Sequence, residues 1–335
     1  MPSSYVDSEL SFRDLRIGAT SAHNQQGWWR MSQDVQVGLD GWLFLKGGSN
    51  QAEKFYTSET PLDDQKMRLW SELLYSRNTR LRAGGFEYLH FMAPDKTTVY
   101  PEFYGEPIPR YDLHPIAKFN DAFCNSGFWL PVLPSLRAEK KHRDLYYKTD
   151  SHWNYWGCFA AYVSLCGKLN ARPVMDLVHR PKATVKIIMD LGGKLVPMIE
   201  EQAEFLSVLR DSQRVYCNDI VEYNESDRSA ATGKLLYNSI VSFRNNDKKC
   251  DSRRVILFGD SFCEYRPHMM TGMLAETFRE VTFVWNHSID YEFIRELSPD
   301  IVISSTVERF VSNVPQDNID VRSEGTRRIM DMQTR

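Results

Sequence analysis

The sequence predicts an α/β protein in which a mainly parallel sheet lies between two layers of helices. The prediction rests first on the last third of the chain, where short apolar runs alternate with helical patterns. The strands are predicted at 254–258, 281–285 and 300–305, and the helices at about 267–279 and 290–297. It rests also on a long amphipathic helix that precedes another apolar strand in the first third. Such alternation is typical of parallel sheets covered by helices, so we expect one three-layer α/β/α domain.

An N-terminal β-hairpin is predicted by VQVGLDGWLFL, residues 35–45. Asp40 and Gly41 separate two apolar segments, and an Asp-Gly pair readily adopts the positive φ angles of a tight hairpin turn. We expect this hairpin to be an extension of a main domain that spans 31–311, with an N-terminal extension at 1–30 before it.

The long helix is predicted to begin with Thr60 as N-cap and Pro61 at its first position, and to end at Gly84-Gly85. Its apolar side chains recur at helical spacing: Met67, Trp70, Leu73, Leu74 and Leu81. The run Phe86–Ala93 then predicts a strand. The proline-punctuated residues after it predict a loop at the carboxyl end of that strand, where open α/β sheets place their sites.

Composition indicates an ordinary globular protein and argues against a nucleic-acid-binding one. Of 335 residues, 42% are hydrophobic, which suffices for a large core. Lysine and arginine number 41 against 44 acidic residues, for a net charge of −3, and no dense basic run occurs. The six cysteines form no CxxC pair and no zinc-ligand spacing, so we expect free thiols and no metal.

The N-terminal residues MPSSYVDSELSFRDLR lack the basic and then apolar segment of a secretion signal. No run approaches the ~20 apolar residues of a membrane span. The sequence as written therefore predicts a cytoplasmic protein, and a periplasmic one if an anchor has been removed.

A possible catalytic base lies in YYKTDSHWN, residues 146–154. Asp150 and His152 are two residues apart, and a carboxylate beside an imidazole fixes its tautomer and stabilises its protonated form. A helix is predicted from about Trp156 to Leu169, capped by Asn154. The pair would then lie just before a helix N-terminus, and it requires a nucleophile.

A possible nucleophile follows the apolar run Val255–Phe258, which reads as a buried strand. Gly259 and Asp260 end this strand in a tight turn that would lift Ser261 above the edge of the sheet. We expect Asp260 to hold the turn, and Cys263 to be a small buried residue with no base of its own.

Taken together, these segments resemble SGNH-hydrolase-like proteins of the alginate O-acetyltransferase type, the AlgX and AlgJ relatives. The similar segments occur in a fixed order between about residues 35 and 311. They are GLDGWLFL at 38–45, APDKTTVYPEFY at 93–104, YYKTDSHWNYWG at 146–157, FGDSF at 258–262 and PDIVISSTVERF at 299–310. The Asp-x-His pair precedes the serine, the reverse of the order in typical SGNH hydrolases.

The resemblance implies an SGNH-hydrolase-like, flavodoxin-like fold and a serine mechanism. Ser261 would be the nucleophile, His152 the base and Asp150 its orienting acid. The implied activity is O-acetyl transfer through an acyl-serine to a hydroxyl of a polysaccharide or glycan precursor. No cofactor would be bound. The acetyl donor would be a co-substrate, either acetyl-CoA or an acyl-carrying partner such as a membrane-bound donor protein.

Other side chains are candidates for supporting roles. The backbone N–H of Ser261 and the side chain of Asn286 are candidate oxyanion donors. The candidate substrate contacts are Trp153, Lys96 and Tyr265, with Trp156 as a further aromatic that could line a sugar cleft. We expect Glu308 and Arg309, after the last strand, to form an internal ion pair.

Two other functions stay open on this sequence. One is a carbohydrate acetylesterase with the same three residues and water as acceptor, and the other is a non-catalytic glycan-binding or assembly protein. The pattern also weakens between 184 and 249, which we expect to be an insertion or irregular region, and 312–335 reads as a polar tail.

Overall fold

The computed structural model of the chain describes residues 33–48, 51–56, 62–108, 114–226, 236–266 and 268–333. The predicted N-terminal extension, together with Thr60 and Pro61, lies outside these ranges. No helix within them combines the length and the apolar character that crossing a membrane requires.

A seven-stranded sheet forms the centre of the described structure, with two small two-stranded sheets beside it. The strands are β1 Val35–Val37, β2 Leu43–Leu45, β3 Glu87–Ala93, β4 Trp129–Leu130, β5 Lys182–Ile188, β6 Glu200–Leu206, β7 Ser212–Cys217, β8 Ile240–Asn245, β9 Asp251–Gly259, β10 Phe278–Trp285 and β11 Ile301–Val307. The central sheet has the order β4-β3-β11-β9-β10-β8-β7. Its first five strands are parallel, and β8 and β7 add antiparallel pairs at one edge.

Helices cover both faces of this sheet, as the sequence predicts. They are α1 Asp64–Ala83, α2 Lys96–Val99, α3 Pro115–Phe123, α4 Leu133–Glu139, α5 Tyr155–Lys168, α6 Asp219–Glu225, α7 Met270–Thr277, α8 Tyr291–Leu297 and α9 Val321–Gln333. Every residue of β11 is buried. A strand buried on both faces requires a helix layer on each side, so the chain has an α/β architecture with a mainly parallel sheet.

The first helix begins later than its sequence predicts. Asp63 is the N-cap, and its side chain accepts a hydrogen bond from the backbone N–H of Lys66 at 2.8 Å. An aspartate at this position satisfies one of the free N–H groups of the first turn, so it takes the capping role assigned to Thr60. The predicted end is right, because Gly85 after the helix adopts a φ of +85°.

The N-terminal hairpin forms around the predicted turn. Val35 pairs with Leu45, and both Asp40 and Gly41 have positive φ angles of 53° and 80°. The hairpin also contacts the Asp-His segment, because Leu43 N–H donates to the carbonyl of Lys148 at 2.9 Å.

The predicted irregular region at 184–249 contains regular structure where it is described. β5 and β6 form a separate antiparallel hairpin, and β7 and β8 extend the central sheet. Residues 321–333 of the predicted polar tail form α9, in which Gly325 packs against Ile220 of α6.

Candidate active site

Ser261 lies in a turn directly after β9, at the carboxyl edge of the parallel strands. The buried Asp260 holds this turn in two ways. Its Oδ1 accepts the N–H of Phe262, and its Oδ2 accepts the N–H of Val307 at the end of β11, both at 2.9 Å. The prediction that Asp260 holds the turn is confirmed. The serine therefore follows one central strand and is anchored to the next, at the edge where α/β proteins place their sites.

His152 and Asp150 approach this turn from a separate segment. Tyr146 forms an isolated bridge with Trp153, which folds the segment back on itself, and Asn154 caps α5 as predicted. Trp153 Nε1 donates to the carbonyl of Phe262 at 3.0 Å. This bond joins the histidine segment to the serine turn, although 109 residues separate the two along the chain.

Asp150, His152 and Ser261 are hydrogen-bonded in series. His152 Nδ1 lies 2.6 Å from Asp150 Oδ1, and His152 Nε2 lies 2.8 Å from Ser261 Oγ. Asp150 Oδ1 also accepts the backbone N–H of His152 at 2.8 Å. With Nδ1 donating to the carboxylate, Nε2 is free to accept the serine proton, which is the tautomer that a general base requires.

The carboxylate of Asp150 is held ionised. Burial alone would raise its pKa, but the charge and the hydrogen bonds of His152 outweigh burial and hold the pKa of Asp150 well below its ordinary value. An anion at this position favours a positive charge on the imidazole, which is the charge that forms when His152 takes a proton.

Lys96 lies beneath the same segment and not at its surface. Its side chain is buried, and Nζ donates to the carbonyls of Tyr147 and Lys148 at 2.8 and 2.9 Å. Burial lowers the pKa of Lys96 to about 7, although Asp150 opposes this shift. The structure thus places Lys96 under the Asp-His segment, and its predicted contact with substrate stays a prediction.

Two other predicted site residues are buried. Trp153 has no exposed surface, so its ring packs in the core and cannot line a cleft. The buried Asn286 carboxamide accepts from Tyr237 Oη at 2.6 Å and Ser288 N–H at 2.8 Å, and donates to Asn238 at 2.7 Å. These bonds pair the polar atoms of its buried side chain with other protein groups, and its predicted role as an oxyanion donor stays a prediction.

Tyr265 lies half-buried four residues after the serine, with its ring 6.3 Å from that of Phe283. It is thus placed near the serine turn, and its predicted contact with substrate stays a prediction. Cys263 is buried, as predicted, and burial raises the pKa of its thiol far above the ordinary value. A thiol in that state is a poor nucleophile.

Glu308 and Arg309 do not pair with each other. Arg309 Nη1 contacts Asp95 Oδ1 at 2.5 Å, and Glu308 accepts from Thr98 Oγ1 at 2.6 Å and from the N–H of Asp95 at 2.9 Å. Burial and the nearby Asp95 raise the pKa of Glu308 to about 7. The predicted pair is therefore wrong: Arg309 pairs instead with Asp95, just after β3, and this contact joins the loops after two parallel strands.

A cleft of about 430 Å³ borders both flanks of the Asp-His segment. Its lining includes Arg143, Tyr147, Asn154, Tyr155, Trp156 and Glu204. The guanidinium of Arg143 lies over the Trp156 ring at 3.8 Å, and the Tyr155 and Trp156 rings are 4.7 Å apart. Trp156, unlike Trp153, therefore presents its ring to a cavity.

Sequence reasoning missed Asp190, which follows β5 in the region without a clear pattern. Its carboxylate accepts from the N–H of Ser151 at 2.7 Å and from Ser151 Oγ at 2.5 Å. No short motif marks this residue, since its contact comes from the tertiary placement of the β5–β6 hairpin. Within the described ranges, Asp150, His152 and Asp190 are close enough to surround a metal ion, but their hydrogen bonds already account for them and we assign no ligands.

The fold and this site define an α/β protein with a serine, a histidine and an aspartate in series at the carboxyl edge of its sheet. The chain belongs to the family described as the SGNH hydrolase-like domain of acetyltransferase AlgX, whose model matches residues 35–290. That range includes Asp150, His152 and Ser261. No curated protein matches the chain.

Three solved structures share the fold. PatB1 from Bacillus cereus, described with a sulfonyl adduct, matches with a TM-score of 0.55 and 16% identity over 87% of this chain and 97% of that one. The O-acetyltransferase domain of Pseudomonas putida AlgJ matches with a TM-score of 0.52 and 16% identity over 90% and 98%. A DHHW family protein from Eubacterium siraeum matches with a TM-score of 0.55 and 14% identity over 90% and 97%.

Proposed function

We propose that this protein is an O-acetyltransferase that carries the acetyl group on Ser261 and delivers it to a hydroxyl of a polysaccharide or glycan precursor. The observation that carries the proposal is the hydrogen-bonded series Asp150, His152, Ser261 at the carboxyl edge of the sheet. Membership of the acetyltransferase family and the fold shared with an O-acetyltransferase domain support it.

In the first half of the reaction Ser261 Oγ attacks the carbonyl carbon of an acetyl ester or thioester. His152 Nε2, 2.8 Å away, takes the serine proton and later gives it to the leaving group. Asp150 holds the imidazole through Nδ1 and stabilises its positive charge. The product is an acetyl-serine and the free leaving group.

The negative charge that develops on the carbonyl oxygen requires hydrogen-bond donors. In the described chain no protein acceptor takes up the backbone N–H of Ser261, which leaves this donor available to the oxyanion. One such donor typically lowers the barrier by about 3 kcal/mol.

In the second half of the reaction His152 takes the proton of an incoming hydroxyl, whose oxygen attacks the acetyl carbon. The bond from the acetyl carbon to Ser261 Oγ then breaks, and His152 returns the proton to Oγ. The cleft beside the Asp-His segment is lined by neither His152 nor Ser261, but it would hold neighbouring sugar rings of the acceptor, because Trp156 and Tyr155 offer aromatic surface and Glu204 offers a carboxylate. The donor is acetyl-CoA or an acyl-carrying partner protein.

An acetylesterase is the second candidate, favoured by the solvent access of the base. The His152 side chain is 24% exposed, so water can reach the position that an acceptor hydroxyl would occupy. The two functions share the acyl-enzyme and differ only in what removes the acetyl group.

The decisive experiment measures the mass of the intact protein after brief exposure to an activated acetyl ester. We expect an acetyl adduct on the wild type, no adduct on Ser261→Ala, and an adduct on Ser207→Ala, a control in the loop after β6. The same adduct on Ser261→Ala would remove the proposed nucleophile.

The acyl-enzyme is then chased with sugar oligomers or with water alone. Faster loss with oligomers supports the transferase, and equal loss supports the esterase. If the wild type forms no adduct, treatment with a small sulfonyl fluoride tests Ser261 without relying on an acetyl donor. Failure of both reagents would favour a non-catalytic glycan-binding or assembly role.

A further inference from the structure

Asp190 holds the one residue that lies between the proposed acid and the proposed base. Both of its carboxylate oxygens contact Ser151, one the backbone N–H at 2.7 Å and the other the hydroxyl at 2.5 Å. Ser151 is 4% exposed, so this two-point contact is made to a buried residue. The position of Ser151 fixes the backbone from which the Asp150 and His152 side chains extend.

The same carboxylate also lies close to the imidazole. Asp190 Oδ2 is 3.9 Å from His152 Nδ1, whereas Asp150 Oδ1 is 2.6 Å from it. The hydrogen bond of Nδ1 thus goes to Asp150, and Asp190 supplies a second negative charge at a longer distance. The Asp190 side chain is 36% exposed, so solvent weakens this interaction, but at about 4 Å a full charge still acts on the imidazole.

The hairpin that carries Asp190 is attached firmly to this segment. The N–H groups of Leu191 and Gly192 donate to the carbonyl of Thr149 at 3.1 and 3.0 Å. Glu201, on β6, accepts from the N–H groups of Lys148 and Thr149 at 2.9 and 2.8 Å. The position of Asp190 is therefore set by contacts on both sides of its loop.

We propose that Asp190 is a positioning residue of the site: through Ser151 it orients His152 toward Ser261, and its charge stabilises the imidazolium formed during acyl transfer. The inference rests on the acyl-serine function proposed above and adds a fourth residue to it. The charge contribution and the orienting contribution are separable by substitution.

Several other charged groups act on the imidazole or on the two aspartates beside it, and they must be held constant in any test. They are Asp150 on the same segment, Lys96 after β3, Asp95 and Arg309 at the strand ends, Arg266 after the serine turn, and Glu201 on β6. Partial burial and the neighbouring Asp150 raise the pKa of Asp190, whereas a positive His152 opposes that shift. Two carboxylates beside one imidazole thus have pKa values displaced in opposite directions.

The test measures the rate of Ser261 acylation by an activated acetyl ester as a function of pH, for the wild type, Asp190→Asn and Ser151→Ala. Asp190→Asn keeps the volume and removes the charge. We expect its plateau rate to fall roughly tenfold and the midpoint of the acidic limb to move about 0.5–1 pH unit lower, since the imidazolium loses a stabilising anion. Ser151→Ala removes the hydroxyl and keeps the charge, so the plateau should fall while the midpoint stays.

Glu200→Gln is the matched control, because it removes one negative charge from the same hairpin at a residue paired with the exposed Lys186. It should reproduce the wild-type profile. A fall in the Asp190→Asn plateau with an unmoved midpoint would overturn the electrostatic part, and a wild-type profile would overturn the inference entirely. If Asp190→Asn does not fold, Ser151→Ala carries the test. A shift of the midpoint in Ser151→Ala would overturn the claim that Ser151 orients His152 while the charge of Asp190 sets the midpoint.

These outcomes are distinct from failure of the proposed function. If the wild type acylates at Ser261 and Asp190→Asn behaves identically, only the inference about Asp190 fails. If the wild type forms no acyl-enzyme at any pH, the function proposed for Ser261 fails first.

Discussion

The structure contains two aspartate–histidine pairs at the same edge of the sheet. They differ in the partner of the second ring nitrogen, the one that does not contact the aspartate. In one pair Asp150 binds His152 at Nδ1, and Nε2 of that ring bonds Ser261. In the other, Asp260 binds His287 at Nε2 at 2.9 Å. No serine contacts the second imidazole among the described residues. An aspartate beside a histidine is therefore a poor sign of catalysis until the partner of the second ring nitrogen is known.

The second pair links the turn after β9 to the end of β11 and to the segment that contains His287. Asp260 Oδ2 accepts from Val307 N–H as well as from His287, and the carbonyl of His287 accepts from the buried Arg77 at 2.7 Å. Burial would raise the pKa of Asp260, but His287 and the two backbone donors hold it below its ordinary value. Both pairs thus contain an ionised aspartate, and among the described residues only one of the two imidazoles contacts a serine.

The largest expected difference between the pairs is in catalysis. His152→Ala should lower the acylation rate by about a thousandfold or more, because no other base contacts Ser261 among the described residues. His287→Ala should keep most of the rate and lower the free energy of unfolding by about 1–2 kcal/mol, since Asp260 loses a buried partner. Stopped-flow acylation and urea denaturation measure the two quantities.

The division between a catalytic pair and a structural pair would be wrong if His287→Ala abolished acylation while its unfolding midpoint stayed at the wild-type value. In that case the second imidazole would act in the chemistry and not in the fold. Retained acylation in His152→Ala would instead remove the proposed base.

A smaller difference is expected between the two aspartates. Asp150→Asn should lower the acylation rate by about a hundredfold or more, because an amide favours the wrong imidazole tautomer. It should also lower the free energy of unfolding, by less than Asp260→Asn does, because the folded chain holds the pKa of Asp150 below its ordinary value. Asp260→Asn should lower the free energy of unfolding by about 2–4 kcal/mol, since a buried acceptor of three hydrogen bonds loses its charge. Equal stability losses in the two variants would contradict the division of roles.

The effect that is smallest per pH unit is a pH dependence of stability that comes from Lys96, which lies under the Asp150–His152 segment. Lys96 is buried and its pKa is lowered to about 7, so between about pH 7 and 10.5 the unfolded chain binds the proton that the folded chain has lost. Stability of the wild type should then rise with pH relative to Lys96→Met, by about 1 kcal/mol per pH unit. Below pH 7 the difference should be flat.

Denaturation at several pH values checks this expectation, with Lys182→Met as a control for removal of an exposed lysine from β5. A constant difference between wild type and Lys96→Met across the window would mean that Lys96 stays protonated in the folded chain.

The parts of the fold that local sequence determines were predictable. The Asp40-Gly41 turn, the Asn154 cap and the strand before Ser261 each depend on a few neighbouring residues, and all three are found in place. The Asp-His segment precedes the serine turn, as it does in the family that the sequence resembles. That order added the expectation that the two distant segments meet.

The remaining features depend on tertiary placement. Trp153 looked like a substrate contact because aromatic residues flank the site in the sequence, but only the fold shows that its ring is buried. In β5, exposed residues alternate with half-buried ones, so the sequence shows little alternation between apolar and polar residues. Asp190 follows β5 and contacts a residue 39 positions earlier. Neither fact has a short-range signal.

The bond from Val307 N–H to Asp260 has a consequence for the chain during its synthesis. The histidine segment is complete after about half of the protein has been made, but the turn that carries Ser261 is anchored only when the final strand joins the sheet. Until β11 has been made, the serine turn keeps only its local bonds, such as the one from Phe262 N–H to Asp260. We therefore expect this turn to reach its final geometry only after almost the whole described chain has been translated.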